Sequence, residues 1–231
     1  MGEYRELTTA EGTFSVYIDW PGKVPSPAVV VLHEIFGINK DMRESCREFA
    51  EQGFIALCPD LFWRKERGLD LNHWSEDEWK KGLSLYQSYD FALGVHDVEA
   101  VLTMARSLPE CNGKAGLTGY CLGGLMTFLT SARSQVTAAA AYYGGGTQNY
   151  LSDAKTLKSP FIMHLGTEDE YISSDDQAKI RDALKGHDNA TIYSYPGCAH
   201  AFTRHTGTRY DEAAAKLANT RTYQFFHQFL N

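Results

Sequence analysis

Short, continuous apolar runs recur along this chain, each followed by a stretch with helical spacing. Ala28-Val29-Val30-Val31-Leu32-His33 and Phe54-Ile55-Ala56-Leu57-Cys58 are two of them; residues 114–119, 136–143 and 161–165 are three more. A strand that is apolar at every position has to be buried on both faces. Between these runs, 41–52, 90–108, 122–132, 174–185 and 209–230 carry helical periodicity, and Gly53 is placed to end the first of them. Ser75-Glu76-Asp77-Glu78 has the form of a capping box opening a further helix. Residues 13–20 instead alternate at period two, as a half-buried antiparallel strand does, and 191–195 reads as the last strand. Strands alternating with helices imply βαβ units, hence an α/β fold whose mostly parallel sheet has helices on both faces. A chain of 231 residues fits this as one domain, 1–231.

The remaining composition narrows function more than fold. The chain carries 22 Lys and Arg against 29 Asp and Glu, a net charge of −7 with no dense basic block. That argues against nucleic acid and anionic membranes as partners. No apolar run approaches the roughly 18–20 residues of a membrane span, and Met1-Gly2-Glu3-Tyr4-Arg5-Glu6 lacks the basic-then-apolar pattern of a signal peptide. Five cysteines, Cys46, Cys58, Cys111, Cys121 and Cys198, are an odd number with irregular spacing and no Cys-x-x-Cys. A disulfide framework or zinc site is not expected, and a reducing cytoplasm fits. Cys46 and Cys58 read as core, Cys111 as exposed in a turn, and Cys198 as packed near a candidate histidine.

In open parallel sheets chemistry sits in loops beyond the carboxyl ends of the strands. After 114–119 comes Gly119-Tyr120-Cys121-Leu122-Gly123-Gly124, a strand–turn–helix with the glycine-x-nucleophile-x-glycine pattern and Cys in the nucleophile position. Glycines two residues to either side remove crowding around a strained turn. The turn puts Cys121 at a helix N-terminus, where the dipole favours thiolate, and leaves the Leu122 amide free to hold an oxyanion. A buried structural cysteine in a tight turn is the bland alternative.

A thiol nucleophile needs a base, and the base an orienting acid. Gly166-Thr167-Glu168-Asp169-Glu170 follows one strand end and Gly197-Cys198-Ala199-His200 a later one. Asp169 and His200 thus complete a nucleophile–acid–histidine order, with Glu168 and Glu170 as alternatives to Asp169. His187 and His205 read as surface groups, and His33-Glu34 does not open a zincin motif because Gly37 stands where a second His is needed.

With His33-Glu34-Ile35-Phe36-Gly37, the Cys121 turn, Gly166-x-x-Asp169 and Gly197-x-x-His200-x-Phe202 assembled, the chain resembles the dienelactone hydrolases, or carboxymethylenebutenolidases, over nearly its whole length. The resemblance implies the α/β-hydrolase fold and a cofactor-free, metal-free hydrolase of small-molecule carboxylic esters or lactones. It also implies that Glu34 contacts the resting thiol and takes its proton when substrate binds. It further implies that the Ile35 amide is the second oxyanion donor and that Arg204 grips a substrate carboxylate. The family's second carboxylate-binding arginine falls on Trp79, its neighbouring tyrosine on Leu83, and the serine after the histidine on Ala201. These departures weaken the expectation of an anionic substrate. Trp63, Trp74, Trp79 and Tyr86 could wall a larger, more apolar pocket. The same machinery acting on another ester or thioester, or a non-catalytic relative using Cys121 as an oxidisable or ligand-binding thiol, are the competing readings.

Overall fold

The computed structural model describes residues 2–231. Its eight strands are β1 (Glu3–Thr9), β2 (Gly12–Asp19), β3 (Ser26–Leu32), β4 (Ile55–Pro59), β5 (Cys111–Tyr120), β6 (Ala139–Tyr142), β7 (Phe161–Gly166) and β8 (Ala190–Tyr195). They form one sheet in the order β1-β2-β4-β3-β5-β6-β7-β8. The pairs β1–β2 and β2–β4 are antiparallel, and every pair from β4 to β8 is parallel. Six helices accompany them: α1 (Lys40–Glu51), α2 (Glu76–Gln87), α3 (Phe91–Ser107), α4 (Leu122–Arg133), α5 (Ser174–Leu184) and α6 (Glu212–Leu230).

The unbroken apolar runs serve two cores. Ala28, Val30 and Leu32 of β3 join a cluster with α3, α4 and α5; Val29 and Val31 point the other way into a cluster with α1 and α6. Each face of the sheet is therefore sealed, as the run at 28–33 requires. No described helix is long and apolar enough to cross a membrane.

Side-chain caps set the helix starts. Asn39, Ser75, Asp90, Ser173 and Asp211 each accept from a first-turn amide, a contact worth about 1 kcal/mol. Ser75 accepts from Glu78 N as the capping box anticipates, but Glu78 turns to the amide of Asn72 instead of reciprocating. Asp211 starts α6 at Glu212, three residues later than periodicity suggests, so Arg209 lies in the preceding loop. The edge strand β1, mostly polar, and a 3₁₀ segment at Thr147–Thr156 carry no hydrophobic periodicity and are unanticipated. Cys111 opens β5 and is partly buried, where an exposed turn is expected from its sequence.

From β3 the chain goes by α1 to β4 on one side, and later by α3 to β5 on the other. The strand order thus reverses between β3 and β5, where a crevice opens beyond the strand ends.

Candidate active site

Four strand ends meet at this crevice. β3 runs into Glu34 and Ile35, β5 into Cys121, β7 into the Asp169 loop and β8 into the His200 loop. Cys121 sits at φ 54°, ψ −112°, a left-handed conformation costly for a residue with a side chain, with α4 starting at the next residue. The reason glycines flank it is more specific than relief of the nucleophile. A Cβ at Gly119 would collide with Gly123, and one at Gly123 with the Leu32 carbonyl. The two glycines let β5, α4 and the end of β3 touch, and that contact holds the turn in its strained form. The Cys121 amide is bonded to Tyr142 O, and Gly123 N to His33 O.

The loop after β3 is fixed by His33. Burial pushes its imidazole below the ordinary histidine range, so it is neutral. Its Nε2 accepts from Leu61 N at 2.9 Å, which leaves Nδ1 to donate to Glu34 O at 2.5 Å. Among the described residues the amides of Ile35 and Leu122 donate to no protein group. They flank the turn that carries the sulfur, and α2 packs closely over one of them: a Cβ at Gly82 would meet the Ile35 carbonyl.

His200 Nδ1 lies 2.9 Å from Asp169 Oδ2. Asp169 Oδ1 accepts from the amides of Tyr171 (2.9 Å) and Ile172 (3.2 Å), so this carboxylate has fixed partners on both oxygens. Glu168 and Glu170 do not take this place. Glu170 accepts from the His200 backbone amide at 3.3 Å and pairs with Arg209. Tyr171 and Tyr143 pack edge-on against the imidazole, with ring centres 4.7 and 5.1 Å away. Burial pushes the imidazole towards neutrality. Cys121 beside it, then the bond to Asp169, outweigh burial and raise its pKa to about 10. Its Nε2 is buried with no hydrogen-bond partner among the described residues. Cys121 lines the same cavity as His200 and lies close enough to raise the pKa of the ring.

Glu34 Oε2 accepts from Arg204 Nε at 2.6 Å, and Oε1 is buried without a partner. In place of the expected contact with the resting thiol, the Glu34 side chain bonds only to Arg204 among the described residues. Arg204 is largely buried, with 15% of its side chain exposed, and lies over the Phe36 ring. Burial opposes its charge and Glu34 more than restores it.

A cavity of about 320 Å³ opens on Cys121, His200 and Arg204. Trp79, Leu83 and Tyr86 line it, as does Ala201. Tyr86 donates to Gly145 O at 3.3 Å. Trp74 belongs to an adjoining cavity. Trp63 lies outside both cavities: it stacks on Phe14, donates to Asp97 and is core, which corrects its expected place in the pocket wall. Tyr171, Gln148, Asn149 and Arg209 also line the main cavity and were not anticipated. Tyr171 and Arg209 lie on loops and Gln148 and Asn149 on the 3₁₀ segment, where no hydrophobic period marks them.

Comparison with known proteins points to one family. The model of the dienelactone hydrolase family matches residues 14–230. The carboxymethylenebutenolidase of Pseudomonas putida is 36% identical over 213 residues, covering 92% of this chain and 90% of its own. Carboxymethylenebutenolidase 1 of Cupriavidus pinatubonensis is 33% identical over 220 residues, covering 95% and 94%. A crystal structure from Klebsiella pneumoniae, provisionally named a dienelactone hydrolase, superposes with a TM-score of 0.87 at 26% identity, covering 99% of both chains.

Proposed function

The chain belongs to the dienelactone hydrolase family, and from that premise we propose that Cys121 is its nucleophile, His200 its base and Asp169 the acid that orients the base. The reaction class, hydrolysis of carboxylic esters or lactones, is that of the family and of its carboxymethylenebutenolidase relatives.

Glu34 Oε1, unpartnered, takes the thiol proton once Arg204 turns from Glu34 to a substrate carboxylate. His200, as imidazolium, holds the thiolate. The sulfur attacks the carbonyl carbon and the carbonyl oxygen becomes an oxyanion held by the amides of Leu122 and Ile35. Each such donor contributes about 2.7–4 kcal/mol to lowering the barrier. The C–O bond breaks, and His200 gives its proton to the departing oxygen, which in a lactone stays tethered to the acyl group. His200 then takes a proton from water, whose oxygen attacks the thioester and expels the thiolate. Trp79 and Tyr86 contact the substrate body.

The single observation that carries this reading is His200, bonded to Asp169 through Nδ1 while its buried Nε2 is left unpartnered beside a strained Cys121. Family membership favours a hydrolase over a redox-sensing relative. The test is steady-state hydrolysis of an activated aryl ester by the wild type and Cys121→Ala. The expected loss in kcat/KM is at least about 10³-fold; turnover that survives the substitution contradicts the assignment.

A further inference from the structure

Among the described residues no carboxylate lines either of the two adjoining cavities. In the main cavity the charged or basic side chains are Arg204, Arg209 and His200. Arg204 and Arg209 also border the second cavity, of about 310 Å³, together with Trp79 and Tyr171. An apolar substrate body could be held by Trp79 and Tyr171 alone, so two guanidinium groups at the rim of a site with no acidic lining point to an anion. Arg204 is committed through Nε to Glu34 in the resting protein. A second cation would hold an anion while that pair breaks.

Arg209 is held in position for this. Its loop is pinned by Arg204 N to Ala201 O, Gly207 N to Arg204 O and Tyr210 N to Gly207 O. It is also tied down by Thr206, which donates to Asp41 through its amide (3.1 Å) and its hydroxyl (2.8 Å). Nη1 of Arg209 pairs with Glu170, which in turn accepts from His200 N. A guanidinium has five N–H donors in a planar fork, and 49% of this side chain is exposed, so a donor edge remains for a ligand after Glu170 is satisfied. Glu170 aims the fork and Arg204 supplies a second one.

We propose that Arg209 is a substrate-binding residue that selects esters or lactones bearing a carboxylate, taking from the loop after His200 the role that Trp79 on α2 cannot fill. This rests on the hydrolase site proposed above. The carboxylate lies at the rim between Arg204 and Arg209, the apolar body lies against Trp79 and Tyr171, and the scissile carbonyl faces Cys121. Trp79 therefore does not imply a neutral substrate.

The test compares a carboxylate-bearing enol ester or lactone with its methyl ester, in the wild type, Arg209→Gln and Arg209→Lys. The readout is the ratio of kcat/KM for the anion to that for the methyl ester. The expected result is a fall in that ratio of about tenfold or more in Arg209→Gln, the size of a lost charge-assisted hydrogen bond. The fall should be carried mostly by KM for the anion, with partial recovery in Arg209→Lys. Added salt should raise KM for the anion more in the wild type than in Arg209→Gln. An unchanged ratio, with both esters still turned over in a Cys121-dependent way, overturns this inference and leaves the hydrolase site standing. Equal losses on both esters overturn it too, and assign Arg209 to supporting Glu170 and the His200 backbone. Turnover of neither ester by the wild type, or turnover of both by Cys121→Ala, overturns the proposed site itself and this inference with it.

Discussion

The imidazole of His200 is held charged by two neighbours, and each can be removed. Cys121 is the larger raising influence and Asp169 the next, both acting against burial. Cys121→Ala should therefore lower the His200 pKa from about 10 towards the ordinary range, read from the ring carbon shifts in an NMR titration. A ring that titrates unchanged in the variant contradicts the pairing. Asp169→Asn should cost activity by about 10³–10⁴-fold, because the amide no longer fixes the tautomer that leaves Nε2 facing the sulfur. Arg204 and Glu34 form a buried pair of a different kind. Arg204→Met strands the Glu34 carboxylate and should cost about 3–5 kcal/mol in urea unfolding. Arg204→Met with Glu34→Gln should recover most of that loss; an additive double variant would mean the two do not interact. At this scale the sequence is legible where a residue sits in a tight motif. Cys121, Asp169 and His200 each follow a strand end at a fixed offset from glycine. The other side chains that shape the cavity, Tyr171 and Arg209 on loops and Asn149 on the 3₁₀ segment, have no such offset and are found only when those segments are in place.

At the scale of elements, close backbone approach does the positioning. Gly82 lets α2 lie on the carbonyl of Ile35, the residue whose amide is assigned to the oxyanion. Gly82→Val should push that loop, lowering kcat by about 10- to 100-fold, less than the loss of a whole oxyanion donor. Unchanged kcat with a correctly folded variant would remove α2 from the account. Gly123→Ala is expected to be harsher, since its Cβ meets the Leu32 backbone, and should cost about 1–3 kcal/mol or more in thermal unfolding. Most elements are legible from period alone: β3 from its unbroken run, α1 from its spacing and Gly53, β2 from alternation. The exceptions have physical causes. β1 is a polar edge strand that pairs only on one side, with β2. The start of α6 is set by Asp211, a single cap that outweighs the continuing periodicity, and this three-residue shift is what frees Arg209 to face the cavity.

Across the whole molecule, the reversal of strand order at β3 and β5 brings residues 34, 121, 169 and 200 to one crevice although they are spread over most of the chain. That convergence follows from right-handed βαβ winding, which is why the α/β reading of the sequence locates the site before any coordinate does. The same fold buries three histidines in opposite charge states, and stability should respond on both sides of neutrality. His33 and His164 are pushed down by burial, His164 to about 3. The unfolded chain binds protons at these positions from about pH 6.5 downwards. Stability is then lost as pH falls from there towards 3. His200 is raised, so its contribution is complete below about pH 6.5 and disappears as pH rises through about 10. Thermal unfolding across this range should give a maximum near neutrality. Asp169→Asn should flatten the alkaline limb and leave the acid limb in place; flattening of neither limb would contradict the charge assignment for His200.

The central claim is that one sulfur at the end of β5 carries the acyl group. Rapid acid quenching during turnover of an activated aryl ester, followed by peptide mass spectrometry, tests it directly. The account predicts the acyl mass on the peptide containing Cys121, and none in Cys121→Ala. Acyl label on any other residue, with Cys121 unmodified throughout turnover, would contradict it.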